Sequence, residues 1–193
     1  LLFFLINIHI RGIILYDEGQ IVNHAQRIIN GDIPYLDFQF FYTPGAIILL
    51  SLIFKIFGSS FIVERIASLF FSLGSSILIY KITNYISKKT LLSLASVTVF
   101  ALWGPSVINF FWPIMGCIFL GLLNVWFMVK YLETKSDRYL FLAGATASFV
   151  LLFKQNFGAA IFISNTIGLF VLPNVKRLQG FIKYSSGYLI PVF

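Results

Sequence analysis

The sequence is poor in charged residues and in cysteine. Charged residues make up 11% of the 193 residues, against about 25% in an average soluble domain, which excludes an ordinary soluble globular protein and a disordered chain. The single cysteine, Cys117, excludes an internal disulfide framework. The 14 basic residues outnumber the 7 acidic ones, but they lie singly or in pairs between apolar runs, so the excess does not indicate nucleic-acid binding.

Apolar residues dominate instead. They make up 59% of the chain, and the mean hydropathy is +0.90. Helices and closed barrels are the two structures that satisfy every backbone polar group in lipid, and the alternating apolar and polar residues of barrel strands are lacking. The sequence therefore predicts an all-α protein, a polytopic bundle of transmembrane helices.

Charged residues mark the ends of the predicted spans, each of which needs about 17–25 apolar residues. Residues 90–129 carry no charge and are long enough for two helices, with Gly104-Pro105 as the turn between them. The run 44–57 is short for a span, so we expect an interfacial or re-entrant helix there. Spans are predicted near residues 1–16, 61–80, 90–104, 108–129, 139–153 and 157–172, with the start of another from 181.

The distribution of basic residues predicts the orientation of these spans. If the first span runs outwards from the cytoplasm and 44–57 does not cross, nine of the fourteen basic residues are cytoplasmic, as the positive-inside rule requires. Segment 17–60 and Lys154 then share the extracytoplasmic face, and 17–60 forms a loop with juxtamembrane helices. The nine basic residues are Lys81, Lys88, Lys89, Lys130, Lys135, Arg138, Lys176, Arg177 and Lys183.

Carboxylates, aromatic residues and one lysine in these extracytoplasmic segments are candidates for chemistry. Asp17-Glu18 directly follows a span, where acids either end a helix in water or supply a general base. The segment 31–45 mixes turn residues, aromatics and acids, which fits either an aromatic belt at the lipid headgroups or a sugar-binding pocket. Lys154, between two apolar runs, either reaches the membrane surface or contacts an anion.

Residues 20–30 have the spacing of a short amphipathic helix. Ile21 and Ala25 share its apolar face, whereas His24 and Arg27 lie on its polar face. The glycine and proline that follow predict its end. His24 in this setting is more simply a solvated or hydrogen-bonded side chain than a metal ligand.

Several of these residues form one combined motif: Asp17-Glu18-Gly19, Ala25, Gly31, Pro34-Tyr35, Asp37-Phe38, Tyr42 and Pro44-Gly45. A second motif is Phe153-Lys154-Gln155 with Gly158. Together they resemble the polytopic glycosyltransferases of the GT-C class, and in particular the bacterial and archaeal relatives of the dolichyl-phosphate-mannose protein mannosyltransferases. That group includes the aminoarabinose transferases of lipid A. Arg65 and Tyr80 also lie where such proteins often have Arg and Tyr.

The resemblance implies a multi-pass glycosyltransferase of the plasma membrane with its active site on the extracytoplasmic face. Its expected partners are a polyprenyl-phosphate-linked sugar donor, a lipid, glycan or protein acceptor, and membrane lipid, and transfer would invert the anomeric carbon. Residues 1–193 are expected to be the N-terminal catalytic region of a longer chain, with 17–60 as its catalytic loop. The implied site has Asp17 and Glu18 as catalytic residues, Lys154 and Gln155 at the donor phosphate, and His24, Arg27, Tyr35, Asp37 and Tyr42 in the substrate pocket.

In one place the sequence departs from the family pattern. Many relatives have a further acid in a later extracytoplasmic loop, whereas residues 102–115 contain none. No cofactor is predicted, and metal dependence is left open. The alternative function is a transporter or flippase of a lipid-linked or small solute. Clustering of the acids at one interface and the lack of an evident internal repeat disfavour that alternative.

Overall fold

The computed structural model describes residues 16–104, 110–172 and 177–190. This described part of the chain is built from α-helices and contains no β-strand, apart from an isolated bridge between Pro34 and Phe38. The predicted all-α class is therefore confirmed, while the predicted span 1–16 lies outside the described residues except for Tyr16. The helices are α1 (Asp17–Ile29), α2 (Gly45–Phe57), α3 (Phe61–Ser87), α4 (Thr90–Trp103), α5 (Pro113–Thr134), α6 (Asp137–Phe153), α7 (Gln155–Val171) and α8 (Arg177–Leu189).

Among the helices of the described ranges, α3 and α5 are long and apolar enough to cross a membrane. They have 27 and 22 residues. At about 1.5 Å per residue both exceed the roughly 30 Å of a hydrocarbon core. Helices α2, α4 and α7 are apolar but shorter, at 13, 14 and 17 residues. Helix α3 continues past the predicted 61–80 to Ser87, and α5 begins at Pro113.

The chain divides into two compact units, residues 1–116 and 117–193. In the first unit α1 packs against α2, α2 against α3, and α3 against α4. Helix α1 starts at Asp17, three residues before the predicted amphipathic segment, because acidic residues in a first turn are favoured by the helix dipole. Its buried face carries Glu18, Ile21, His24 and Ala25, which follow the spacing expected of one helical face.

In the second unit α6 is the central helix and packs against α7 and α8. Two glycines let α6 and α8 approach each other backbone to backbone. A Cβ on Gly144 would lie 1.9 Å from the Tyr184 carbonyl oxygen, and one on Gly187 would lie 2.0 Å from that of Phe141. Close contact through small residues is a usual way for helices to associate in lipid.

Candidate functional site

The two neighbouring carboxylates in the first turn of α1 have different surroundings. Glu18 is fully buried, whereas the side chain of Asp17 is partly exposed. The side chain of Asp17 makes no hydrogen bond or ion pair with any residue of the described ranges. Because successive residues of a helix point about 100° apart, burying Glu18 leaves Asp17 directed away from the packed face.

Glu18 forms a buried, two-point ion pair with Arg65 near the start of α3. Arg65 Nε lies 2.5 Å from Glu18 Oε1, and Nη2 lies 2.9 Å from Oε2. Arg65 is only 7% exposed. Two parallel charge-assisted hydrogen bonds hold both side chains in a defined orientation and also stabilise the pair. The ion pair thus joins the start of α1 to the start of α3, over 47 residues of sequence.

Glu64, next to Arg65, is a third buried side chain that can ionise, and it is 0% exposed. Its Oε1 accepts a hydrogen bond from the backbone N–H of Phe111, and its carboxyl group also interacts electrostatically with Glu18 and Arg65. Its Oε2 has no hydrogen-bond partner among the described residues. We call Glu18, Glu64 and Arg65 the charged cluster. An acid therefore does reach the 110–112 segment, although residues 102–115 contain none, because α3 supplies it.

A chain of aromatic contacts lies in the same unit. Adjacent ring centroids lie 4.7–5.8 Å apart, mostly edge to face, the geometry that aromatic pairs prefer. It links α1, the loop after it and the segment before α5. In order of contact, this aromatic chain consists of Phe38, His24, Phe40, Tyr42, Trp112 and Phe110.

Arg27 and Asp37 shape the loop between α1 and α2. Arg27 Nε lies 2.6 Å from Asp32 Oδ2, and its Nη2 donates to the Asp37 carbonyl oxygen at 2.8 Å. Asp37 Oδ2 accepts the backbone N–H of Ile33 at 2.7 Å. The exposed Tyr35 has a left-handed φ of 68°, and its hydroxyl donates to the Tyr42 carbonyl oxygen. These side chains stabilise the loop by hydrogen bonds to backbone groups of the loop itself.

His24 is packed rather than solvated. Its ring stacks on Phe38 at 4.7 Å and meets Phe40 edge to face at 5.5 Å. Nδ1 is buried without a hydrogen-bond partner among the described residues. Burial, followed by the charge of Arg27, lowers the pKa of His24 from its ordinary value of 6.5, so the imidazole is neutral at pH 7.

Residues 42–192 match the family model described as dolichyl-phosphate-mannose-protein mannosyltransferase. The chain belongs to this family. The protein is therefore a membrane glycosyltransferase of the mannosyltransferase type, and the family implies a lipid-linked sugar donor with a glycan or protein acceptor. No curated protein and no solved structure matches the chain.

The family match covers only part of the predicted site. It includes Tyr42 and Lys154 and also Glu64 and Arg65, whereas Asp17 and the rest of the α1 region precede it. The predictions for Asp17 and Glu18 therefore depend on the sequence motif and on the geometry of the first unit. Sequence reasoning left Glu64 and Trp112 out of the site. The signal for Glu64 was a charged pair at the start of an otherwise apolar span.

Lys154 and Gln155 lie in the second unit, at the corner between α6 and α7. Lys154 is extended, with φ −156° and ψ 111°, and its ammonium lies 5.2 Å from the centre of the Phe157 ring. The corner is tight because a Cβ on Gly158 would lie 2.4 Å from the backbone of Leu151. The structure thus presents the half-buried Lys154 and the exposed Gln155 at one turn. Their role at a donor phosphate stays a prediction.

The described residues contain no group of three or more His, Cys, Asp or Glu side chains that could hold a metal ion. In the first unit Glu18 is already committed to its ion pair with Arg65, and Glu64 interacts with both side chains. Whether the reaction needs a metal stays a matter for experiment.

Proposed function

We propose that the protein transfers a sugar from a polyprenyl-phosphate-linked donor to a hydroxyl group of an extracytoplasmic lipid, glycan or protein acceptor, with inversion. The observation that supports this proposal best is the contrast between two adjacent carboxylates. Glu18 is held in a buried ion pair, while Asp17 is partly exposed and makes no contact of this kind with the described residues. Such a carboxylate is available to a substrate.

Asp17 is the proposed general base. It would accept the proton of the acceptor hydroxyl as the oxygen forms a bond to the anomeric carbon of the sugar. The bond from that carbon to the phosphate oxygen breaks, and its electron pair leaves on the phosphate. Because phosphate is already a weakly basic anion, no general acid is required, unlike for the alcohol leaving group of a glycosidase. One displacement from the opposite side inverts the anomeric carbon.

Glu18 has a different part in this proposal from the one that its place in the motif implies. Both its oxygens bind Arg65, so it would act as a positioning residue that fixes the first turn of α1. A base must be held within hydrogen-bonding reach of the proton it removes. Fixing the turn at Glu18 fixes the backbone of Asp17 beside it.

Lys154 would bind the donor phosphate, with Gln155 as a neighbouring donor. A preorganised cation stabilises the negative charge that grows on the leaving oxygen. His24, Arg27, Tyr35, Asp37 and Tyr42 would shape the sugar or acceptor pocket, and the exposed face of the loop around Tyr35 supports this role. We place the site on the extracytoplasmic face of the plasma membrane, as the positive-inside rule favours.

The test is sugar transfer in membranes that contain the full-length protein. Radiolabelled polyprenyl-phosphate sugars serve as donors, and wild type is compared with Asp17→Asn. The substitution keeps size and polarity but removes the base. We expect the rate to fall by about a hundredfold or more, within the roughly 10²–10⁴-fold that a general base contributes.

Asp137→Asn is the matched control, because Asp137 is also the first residue of a helix and is exposed. It should transfer at the wild-type rate. Full activity of Asp17→Asn would show that the base is another residue. If wild type consumes no donor while labelled lipid-linked sugar crosses the bilayer, the protein is a transporter.

A further inference from the structure

Glu64 combines complete burial with incomplete hydrogen bonding. It is 0% exposed, its Oε2 makes no hydrogen bond of ordinary geometry with a described residue, and its carboxyl group lies close enough to that of Glu18 to interact with it. A buried carboxyl group with an unpartnered oxygen costs stability, so packing alone does not account for this residue. What the carboxyl group does hold is the backbone N–H of Phe111.

The same peptide bond is held from its other side. Ser68, one helical turn after Glu64 on α3, donates its hydroxyl to the carbonyl oxygen of Phe110 at 3.0 Å. The Phe110 carbonyl and the Phe111 amide belong to one peptide unit, so α3 satisfies both of its polar groups with buried side chains. We call this pair of hydrogen bonds the peptide clamp.

The peptide clamp and a backbone hydrogen bond, donated by the Trp112 N–H to the Phe110 carbonyl oxygen at 2.8 Å, together hold Trp112. Trp112 follows the clamped peptide directly, and its ring meets Tyr42 edge to face at 5.8 Å. The ring of Phe111 packs on Phe71 of α3 at 5.4 Å, which holds the segment from a second direction. The bond from the Phe111 N–H to Glu64 and the bond from Ser68 to the Phe110 carbonyl are therefore the two polar contacts of the peptide clamp that tie the segment carrying Trp112 to α3, beside the Glu18–Arg65 ion pair.

We infer that Glu64 is a positioning residue for sugar transfer, which acts by holding the Phe111 amide so that Trp112 and Tyr42 form one wall of the donor-sugar pocket. This inference rests on the proposed function. It assigns to Glu64 the work of a hydrogen-bond acceptor at Oε1. Its second oxygen is not needed for that work.

The test asks whether Glu64 acts through the oxygen that accepts the Phe111 N–H or through another property of its carboxyl group. Glu64→Gln keeps an oxygen for the Phe111 amide and replaces the oxygen that has no partner. Glu64→Met keeps the length of the side chain and removes the acceptor. We expect Glu64→Met to raise the apparent KM for the donor about fivefold to tenfold with kcat changed less than twofold, because a buried amide loses its partner. Glu64→Gln should restore the wild-type KM.

Two serines of α3 supply a matched pair. Ser68→Ala opens the other half of the peptide clamp and should raise KM in the same direction. Ser72→Ala should change nothing, because Ser72 is equally buried but donates to a carbonyl of its own helix, Ser68 O, at 3.1 Å. Equal KM values for these two variants would overturn the inference.

A second readout does not depend on activity. With Trp112→Cys introduced into each background, labelling by a water-soluble maleimide should be several-fold faster with Glu64→Met than with Glu64→Gln. Unchanged labelling, or equal loss of activity in both Glu64 variants, would overturn the inference. If wild type transfers no sugar, the proposed function fails, whereas faster labelling of the Met variant would still show the peptide clamp itself.

Discussion

The two units of the chain bury polar groups in different ways. The first unit buries acidic and basic side chains, namely the charged cluster of Glu18, Glu64 and Arg65 at the starts of α1 and α3. The second unit buries neutral amides and hydroxyls. Asn124 donates to the Ala143 carbonyl at 2.6 Å, and Asn165 donates to Asn124 Oδ1 at 2.8 Å.

This difference in buried polar groups is typical of a functional site in the first unit and of a structural scaffold in the second. In the second unit the amide of Asn165 also reaches the Tyr184 hydroxyl at 3.1 Å, which links the network to α8. Such interhelical hydrogen bonds in lipid average about 0.6 kcal/mol and serve to join helices. In the first unit the buried Glu18–Arg65 ion pair holds the first turn of α1, and the side chain of Asp17 beside it is partly exposed. Burying side chains that can ionise costs stability unless they are paired, and proteins accept such a cost mainly at functional sites.

Breaking the buried ion pair is expected to have the largest effect on stability. Arg65→Met would leave the buried carboxylate of Glu18 without its cation, at a cost of about 3–5 kcal/mol in the free energy of unfolding. The measurement is denaturant unfolding of the purified protein in detergent. The matched control is Asp32→Asn, which breaks the Arg27–Asp32 pair, whose side chains are both 36% exposed. That loss should be about 0–1 kcal/mol, and equal losses for the two variants would contradict the contrast between buried and exposed pairs.

A second experiment breaks the scaffold instead of the site. Gly144→Ala would put a Cβ 1.9 Å from the Tyr184 carbonyl oxygen, so α6 and α8 must move apart. Overpacking of this kind costs about 1–3 kcal/mol. Gly168→Ala is the matched control, because a Cβ there would have nothing within 4 Å. Unfolding in detergent should show the loss for Gly144→Ala only, and a stable Gly144→Ala variant would mean that the two helices are not in backbone contact.

The helices themselves could be predicted from the sequence more closely than the site. The uncharged stretch 90–129 and the turn signal at Gly104 predicted helices near 90–104 and 108–129, and the structure has Thr90–Trp103 and Pro113–Thr134. Apolar runs and turn residues are local signals, so a sequence displays them directly.

The contacts of the site are not local and could not be predicted in this way. Glu18 and Arg65 are 47 residues apart, as are Glu64 and Phe111. Nothing in the spacing of Asp17-Glu18 shows which acid is buried, because that depends on how α1 packs on its neighbours. The motif indicated that the pair matters, and the packing separates an exposed carboxylate from one committed to an ion pair.

The smallest expected effect concerns His24, the neutral member of the aromatic chain next to the charged loop. Its pKa is lowered from the ordinary value of 6.5 by burial and then by Arg27, so the unfolded chain binds a proton that the folded chain does not. The stability that depends on neutral His24 is fully present above about pH 6.5 and is lost as the pH falls toward the lower pKa of the folded state. His24→Phe keeps a ring against Phe38 and cannot be protonated, so the free energy of unfolding should fall less steeply than in wild type between pH 7.5 and pH 5.

All other titrating groups are common to both proteins, and the difference between the two curves of unfolding free energy against pH therefore isolates His24. Parallel curves would mean that His24 is solvated enough to be protonated in place, and the aromatic chain would then extend only from Phe40 to Phe110.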